Sequence, residues 1–365
     1  MIDNKKIKIL AFHLPQFHAI PENDEWWGAG FTEWTNVKKA KPIFKNQYQP
    51  REPLNDFYYD LSDINTLKWQ ADLAKKYNVY GFCFYHYWFN GKLLLEKPVE
   101  NLLRHSEIDV NYCFSWANEP WTRTWDGLDN HVLMPQFYGQ EADWEKHINY
   151  LLPFFKDERY IKIDNKPMFL IYKPESIDDC EKMMMHWHII AKKNGFNGIH
   201  FVETLRGQID ERKLPFDAGV EFEPFRTIRR NSFWGLKLRA LRMRSFRLIN
   251  KLFRTQLPLR KKMLFRKIAQ KSLGNISHKN AYGGVFVGWD NTPRKGNESI
   301  YISEPLKSEF EHYLKEKIKI TKTVYKTEFI FVNAWNEWCE GTYLEPDKKH
   351  KFEYLEVIKK VLDEE

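Results

Sequence analysis

The sequence predicts an α/β protein, a single (β/α)8 TIM-type barrel with a basic helical insertion between its sixth and seventh strands. Three observations predict it. The chain has 365 residues, a length that one such barrel with insertions commonly reaches. Eight short apolar, β-favouring runs recur, separated mostly by charged stretches of helical character. Polar residues gather at or just past the ends of these runs, whereas their starts are mostly apolar or Gly. A barrel of this kind keeps its active site at the C-terminal ends of the strands, so those ends are where chemistry is sought.

The first run covers 7–14, contains His13, and stops at Pro15-Gln16-Phe17-His18. A long polar loop with Asn23, Asp24, Trp27, Glu33 and Trp34 follows, and a helix is expected over 63–77, where Leu67, Gln70, Ala71 and Ala74 share a face. The second run, 81–88, carries Tyr85, His86 and Tyr87; the third, 111–116, ends in Trp116-Ala117-Asn118-Glu119-Pro120-Trp121. The fourth (167–172) ends at Tyr172, the fifth (198–204) holds Glu203, and the sixth (218–222) holds Glu221 with Glu223 just beyond. The seventh (284–289) ends at Trp289 before Asp290. The eighth, 329–334, runs into Trp335-Asn336-Glu337-Trp338-Cys339-Glu340, after which Gly341 lets the chain turn sharply.

That last stretch carries the clearest chemistry. Two carboxylates three residues apart among indoles have raised pKa values and push each other's apart, so one can act as acid while the other is base. Indole faces also stack on sugar rings. Glu337 and Glu340 are therefore the expected catalytic pair. The expected sugar contacts are His13, Gln16, His18, Trp27, Trp34, Tyr85, His86, Tyr87, Trp116, Asn118, Glu119, Tyr172, Glu203, Glu221, Trp289, Asp290, Trp335, Asn336 and Trp338. For any one histidine, a core position satisfied by backbone is the alternative.

Composition agrees with a carbohydrate cleft: aromatics make up 16% of the chain, with 14 Trp, many beside polar residues. Cys83, Cys113, Cys180 and Cys339 show neither pairing nor metal spacing and read as reduced, buried thiols. The polar N-terminus lacks an apolar signal segment and no run is long enough to span a bilayer, so a cytoplasmic location is expected. The net charge is +8, yet residues 226–271 alone carry sixteen Lys or Arg and no Asp or Glu. On a helical wheel Trp234, Leu238, Leu241, Leu248, Ile249 and Leu252 share one face, opposite Arg239, Arg244, Arg247, Lys251 and Arg254. That pattern suits a helix lying on an anionic membrane, here the inner face of the cytoplasmic membrane. The alternative is an insertion packed on the barrel; interleaved Leu, Ile and Phe argue against nucleic acid. Neither a Gly-rich phosphate loop nor an Asp-x-Asp pair is present, so the usual nucleotide-sugar and metal cues are missing.

Asn336-Glu337-Trp338-Cys339-Glu340-Gly341-Thr342 resembles the Asn-Glu-Trp-His-Glu-Gly-Thr signature of family 99 glycoside hydrolases, endo-acting α-mannosidases and mannanases, with Cys339 in place of His. The N-terminal half is similar to the WbsX-type glycosyltransferases of O-antigen and capsule gene clusters. The matching stretches are Leu14 to His18, Pro21 to Gly28, Gly30 to Trp34, Gln49 to Arg51, Phe84 to Phe89, Trp116 to Glu119 and Trp125 to Gly127. The resemblance implies that Glu337 is the base acting on a sugar 2-hydroxyl and Glu340 the acid protonating the leaving oxygen. The 2-oxygen would attack C1, giving an anhydro-sugar and retained configuration, with no metal or cofactor. It implies an oligosaccharide or lipid-linked glycan as partner. Hydrolase or transglycosylase, glycosyltransferase, and a glycan-binding barrel without activity, which Cys339 keeps in play, all stay open. Asn118-Glu119-Pro120 resembles the acid/base triplet of another barrel clan, but there it ends the fourth strand. Here it ends the third, so Glu119 is expected to bind or support substrate.

Overall fold

The computed structural model describes residues 6–123, 132–207, 214–230, 261–278 and 280–365, with single positions at 241, 245, 246, 249 and 252. Eight strands form a closed parallel barrel: β1 (Lys8–His13), β2 (Val79–Phe89), β3 (Asn111–Trp116), β4 (Lys166–Ile171), β5 (His200–Leu205), β6 (Ala218–Glu221), β7 (Ala281–Phe286) and β8 (Phe329–Asn333). Each pairs with the next, and β8 pairs back with β1, so no barrel strand is left with an open edge. Six of the intervening or flanking helices, Ile64–Lys76, Lys97–Arg104, Glu141–Lys156, Cys180–Lys193, Lys307–Ile320 and Glu353–Asp363, bury an apolar stripe against this barrel. The first begins where the sequence places it, with Asp63 accepting from the Asn65 amide at 2.9 Å.

One strand departs from expectation. The seventh run ends its barrel pairing at Phe286, and Trp289–Asp290 leaves to pair with Ile300–Ile302, which also pairs with Lys261–Met263 in a separate small sheet. The close β6–β7 approach needs a glycine: a Cβ on Gly284 would lie 1.8 Å from the Glu221 carbonyl oxygen.

Strand alternation decides which side chains face the lumen. Phe12 of β1 meets Phe222, which follows β6, with ring centres 5.3 Å apart, and it also meets Tyr85 at 5.8 Å and Phe331 at 5.5 Å. Strands β1 and β6 are not neighbours in the sheet, so Phe12 and Phe222 must both point inward. By parity, His13 and His86 point outward into the helix layer. His13 Nε2 lies 3.0 Å from Gln70 Oε1 on the Ile64–Lys76 helix, and His86 Nε2 lies 2.8 Å from His147 Nε2 on Glu141–Lys156. Burial holds both histidines well below the usual imidazole range, at about 3, so they are neutral core groups.

Both ends of the basic segment are packed on the barrel. Arg226 is fully buried and donates to Glu221 at 3.0 Å, to the Asn275 carbonyl at 2.6 Å and to Ser277 at 2.7 Å. Glu221 also accepts from Lys317 at 2.7 Å, Tyr325 at 2.6 Å, Ser277 at 2.9 Å and the Gly284 amide at 3.2 Å. Five donors thus satisfy one buried carboxylate that was expected to touch sugar; its real neighbours are the helix layer. Ile228, Phe265, Ile268 and Ala269 bury the rest of these two ends. Trp234, Leu238, Leu248, Arg239, Arg244, Arg247, Lys251 and Arg254 lie outside the described residues, as does Trp125 to Gly127. Among the described residues no helix is long and apolar enough to cross a membrane.

Burial alone would push Glu221 up, but Lys317 and Arg226 outweigh it and hold the carboxyl below its ordinary value. A depressed carboxyl contributes stability at and above the ordinary carboxylate range and loses it as pH falls through the folded value. Lys317→Met leaves Glu221 one cation short and is expected to cost about 3–5 kcal/mol in urea unfolding at pH 7. Its acid unfolding should also begin at higher pH than in the wild type. An unchanged midpoint would show that this network contributes little.

Candidate active site

Two adjoining hollows of about 500 and 310 Å³ open at the C-terminal ends of the strands and share Tyr87, Glu119, Trp121, Arg294 and Glu337. Gln16 and Trp27 line one; Tyr85, Tyr172, Phe225, Trp289 and Glu340 line the other. The cleft is walled by aromatic rings and floored by charge.

Three separate loops supply that charge. After β8 the chain forms a small hairpin, Asn336–Glu337 against Thr342–Tyr343, closed by the single turn Trp338–Glu340. Gly341 ends it at φ +60°, and a Cβ there would lie 2.9 Å from both Arg51 and Asp290. This turn puts Glu337 and Glu340 on one side. Arg294 comes from the short turn Thr292–Lys295 after β7 and reaches Glu340 at 2.7 Å and Glu337 at 3.6 Å. Glu33 opens the helix Glu33–Lys39 in the loop after β1 and meets the same guanidinium at 3.0 Å. Cys339 turns away from the cleft and donates its thiol to the Glu33 carbonyl at 3.3 Å, docking that helix.

Three carboxylates around one guanidinium would carry a net charge of minus two if all were ionised, in a site nearly closed to water. The site therefore holds protons. Burial pushes Glu337 well up, helped by the Glu340 charge and opposed by Arg294. Burial likewise raises Glu340, but its close contact with Arg294 limits the rise to about 7. Glu337 and Glu340 therefore titrate as a pair, both raised by burial. Burial also raises the hydroxyls of Tyr85 and Tyr87, with the Glu337 charge adding to it, so both remain proton donors facing the pair.

The other residues expected to touch sugar divide in two. Gln16, Trp27, Tyr85, Tyr87, Glu119, Tyr172 and Trp289 line the cleft, Glu119 being half exposed and paired with Lys173 at 3.0 Å. The remainder build its supports. Asn336 clasps the Leu14 backbone, accepting from its amide at 2.8 Å and donating to its carbonyl at 3.0 Å. Asn118 likewise bridges both backbone groups of Lys173, at 2.7 and 2.8 Å. Asp290 accepts from Gln47 at 2.9 Å and Gln49 at 3.0 Å, tying the β1 loop to the end of β7. Trp338 donates to buried Glu345 at 2.7 Å and stacks on Tyr343 with centres 3.9 Å apart; Trp34 donates to the Tyr59 carbonyl at 2.8 Å. Trp116 donates to the Trp88 carbonyl at 3.2 Å, His18 faces the Pro15 carbonyl at 3.0 Å, and Trp335 packs on Phe82 at 4.8 Å. Glu203 sits beside Cys180, whose thiol is raised to about 12 by burial and then by that charge. Apart from half-buried Glu203, these groups are buried in the supports of the cleft, because indoles, amides and carboxylates at strand ends serve equally well to lock loops.

A family model described as glycosyltransferase WbsX matches residues 9–358. The chain belongs to the WbsX glycosyltransferase family. It is 34% identical over 358 residues, 97% of its length, to uncharacterized protein WxcX of Xanthomonas campestris pv. campestris, in strain B100 among others. The match covers 49% of those proteins, so this WbsX-family chain spans about half the length of the curated relatives it matches. Its fold is that of the GH99 endo-alpha-mannosidase from Bacteroides thetaiotaomicron, at a TM-score of 0.57 and 15% identity, covering 98% of this chain and 96% of that one. A glycoside hydrolase-like protein is similar at a TM-score of 0.61 and 13% identity, covering 98% and 94%.

Carboxyl ¹³C NMR of glutamate-labelled protein checks the charge cluster without any substrate. Glu340 should titrate near 7 and Glu337 well above the ordinary carboxylate range, and Arg294→Met should move Glu340 upward. A wild-type Glu340 midpoint in the ordinary carboxylate range would contradict this account.

Proposed function

We propose that this enzyme makes or breaks the glycosidic bond of a mannose-like unit with a free 2-hydroxyl, in O-antigen or capsule polysaccharide assembly. The observation that carries the reading is the Glu337/Glu340 pair on one guanidinium, holding protons near neutral pH in an aromatic cleft. As carboxylate, Glu337 takes the proton from the sugar 2-hydroxyl while the 2-oxygen attacks C1. The bond from C1 to the leaving oxygen breaks as Glu340 gives that oxygen its proton. A hydroxyl then opens the anhydro-sugar at C1, giving its proton to Glu340, and Glu337 returns a proton to the 2-oxygen. Configuration is retained, because C1 is attacked twice.

The step needs Glu337 ionised and Glu340 protonated, and substrate binding favours that placement: displacing water from around Glu340 raises its pKa further, and the 2-hydroxyl set against Glu337 donates to its carboxylate form. If water opens the intermediate the enzyme is a hydrolase. If an acceptor sugar does, it is a transferase, the reading that the family's description favours. An activated sugar donor with a lipid-linked acceptor would suit a cytoplasmic enzyme held at the inner membrane face by the acid-free basic segment 226–271.

Glu337→Gln and Glu340→Gln remove proton transfer and little packing. Each should lower turnover by about a hundred- to ten-thousandfold across a panel of aryl mannosides and nucleotide sugars, with thermal unfolding little changed. Near-full activity in both, with Glu119→Gln inactive, would move the chemistry to the end of β3.

A further inference from the structure

Just past the hairpin that carries Glu337 and Glu340, Glu345 is 3% exposed and lines neither hollow of the cleft. Its Oε2 accepts from the Trp338 indole at 2.7 Å and from the Tyr59 hydroxyl at 2.8 Å, and its Oε1 accepts from the Gln70 amide at 2.7 Å. The groups behind these donors fix their direction. Gln70, with its amide nitrogen turned to Glu345, offers its oxygen to His13 Nε2 at 3.0 Å, so that nitrogen carries the hydrogen and buried His13 Nδ1 is left without a partner. Tyr59 accepts from Asn336 Nδ2 at 3.4 Å, which leaves its own hydrogen for Glu345. The titratable groups that face Glu345 are thus Tyr59 and, through Gln70, His13. Both are neutral: burial, then the Glu345 charge, pushes the Tyr59 hydroxyl well up, and burial holds His13 at about 3.

From this we infer that Glu345 is a positioning residue: as a carboxylate it holds the Trp338 indole, and through it the turn that presents Glu337 and Glu340 to the sugar. Trp338 stands between those two glutamates in the chain and opens the turn Trp338–Glu340. Its ring stacks on Tyr343 with centres 3.9 Å apart and meets Trp34 at 5.2 Å. Stacking alone lets an indole rotate in its own plane, and the bond from Nε1 to Glu345 stops that rotation. A hydrogen bond to an ionised acceptor is also roughly twice as strong as one between neutral groups. A protonated Glu345 would need an acceptor for its hydrogen, but indole and amide N–H groups can only donate, so a bond would be lost. Burial raises this carboxyl to about 7. The clamp is therefore present above that value and is lost as pH falls through it. The inference rests on the proposed roles of Glu337 and Glu340, but its first readout does not.

The test is ¹⁵N NMR of the tryptophan-labelled full chain across neutral pH, with the Trp338 indole assigned as the signal missing from Trp338→Phe. That signal should shift in one step near 7. The step should vanish in Glu345→Gln and persist in Glu340→Gln. Glu345→Gln matches the native side chain in shape and keeps its bonds to Trp338 and Tyr59 if Gln70 turns its amide over and His13 exchanges its tautomer. On a substrate that the wild type accepts, it should lower kcat by about tenfold and Glu345→Ala by about a hundredfold, with KM little changed in both. A Trp338 signal that stays in place across neutral pH, or that still shifts in Glu345→Gln, would overturn the inference, as would full kcat in Glu345→Ala. Should Glu337→Gln and Glu340→Gln both stay active, the carboxyl pair loses its role, while the indole titration still decides whether Glu345 holds the turn.

Discussion

The site depends on one guanidinium. Arg294 is the cation against which three carboxylates from distant parts of the chain are packed, and all four groups are largely removed from water. Each alone would be expensive to bury, and together they still carry more negative than positive charge if fully ionised. Proton retention is therefore a consequence of the fold and not an extra device. A cluster that must hold a proton near neutral pH, on either of two neighbouring carboxyls, is suited to acid–base work on a bound sugar.

Arg294 can hold that position only because the loops that bring the groups together are themselves locked. Asn336 pins the hairpin that carries Glu337 and Glu340 to the end of β1, and Asp290 fastens the β1 loop to the exit of β7. Buried Glu345 gathers Tyr59, Gln70 and Trp338, raising its own pKa to about 7 through burial in exchange for three directed hydrogen bonds. These contacts span the β1, β7 and β8 loops, so a change in any one would be felt at the carboxyl pair as misplacement. The thiol of Cys339 belongs to the same set: it docks the helix that presents Glu33, which gives the departure from the His of the GH99 motif a structural role.

The barrel was legible because each strand is a short apolar run, and the carboxyl pair because nothing in a core explains two glutamates beside indoles. Reading Tyr85, His86 and Tyr87 together as sugar contacts ignored alternation: in one strand, if the tyrosines face the lumen, the histidine cannot. Glu221 was misread because a strand-end glutamate has the same signature whether it meets solvent or five buried donors. Arg294 went unseen. Its only mark is a basic residue in a polar loop after the seventh strand, and its role is fixed by where that loop folds relative to two others. Glu33 was visible as a polar loop residue, but its guanidinium partner was not.

In the proposed reaction the 2-oxygen of the sugar is the nucleophile and Glu337 its base. The most direct measurement is the turnover of a substrate accepted by the wild-type enzyme against its 2-deoxy and 2-fluoro analogues. Removing the 2-hydroxyl leaves most binding contacts but takes away the group that attacks C1, so the analogues should bind with modest loss yet scarcely react. Turnover of the 2-deoxy compound at a rate comparable to the parent would contradict the account and remove the role assigned to Glu337.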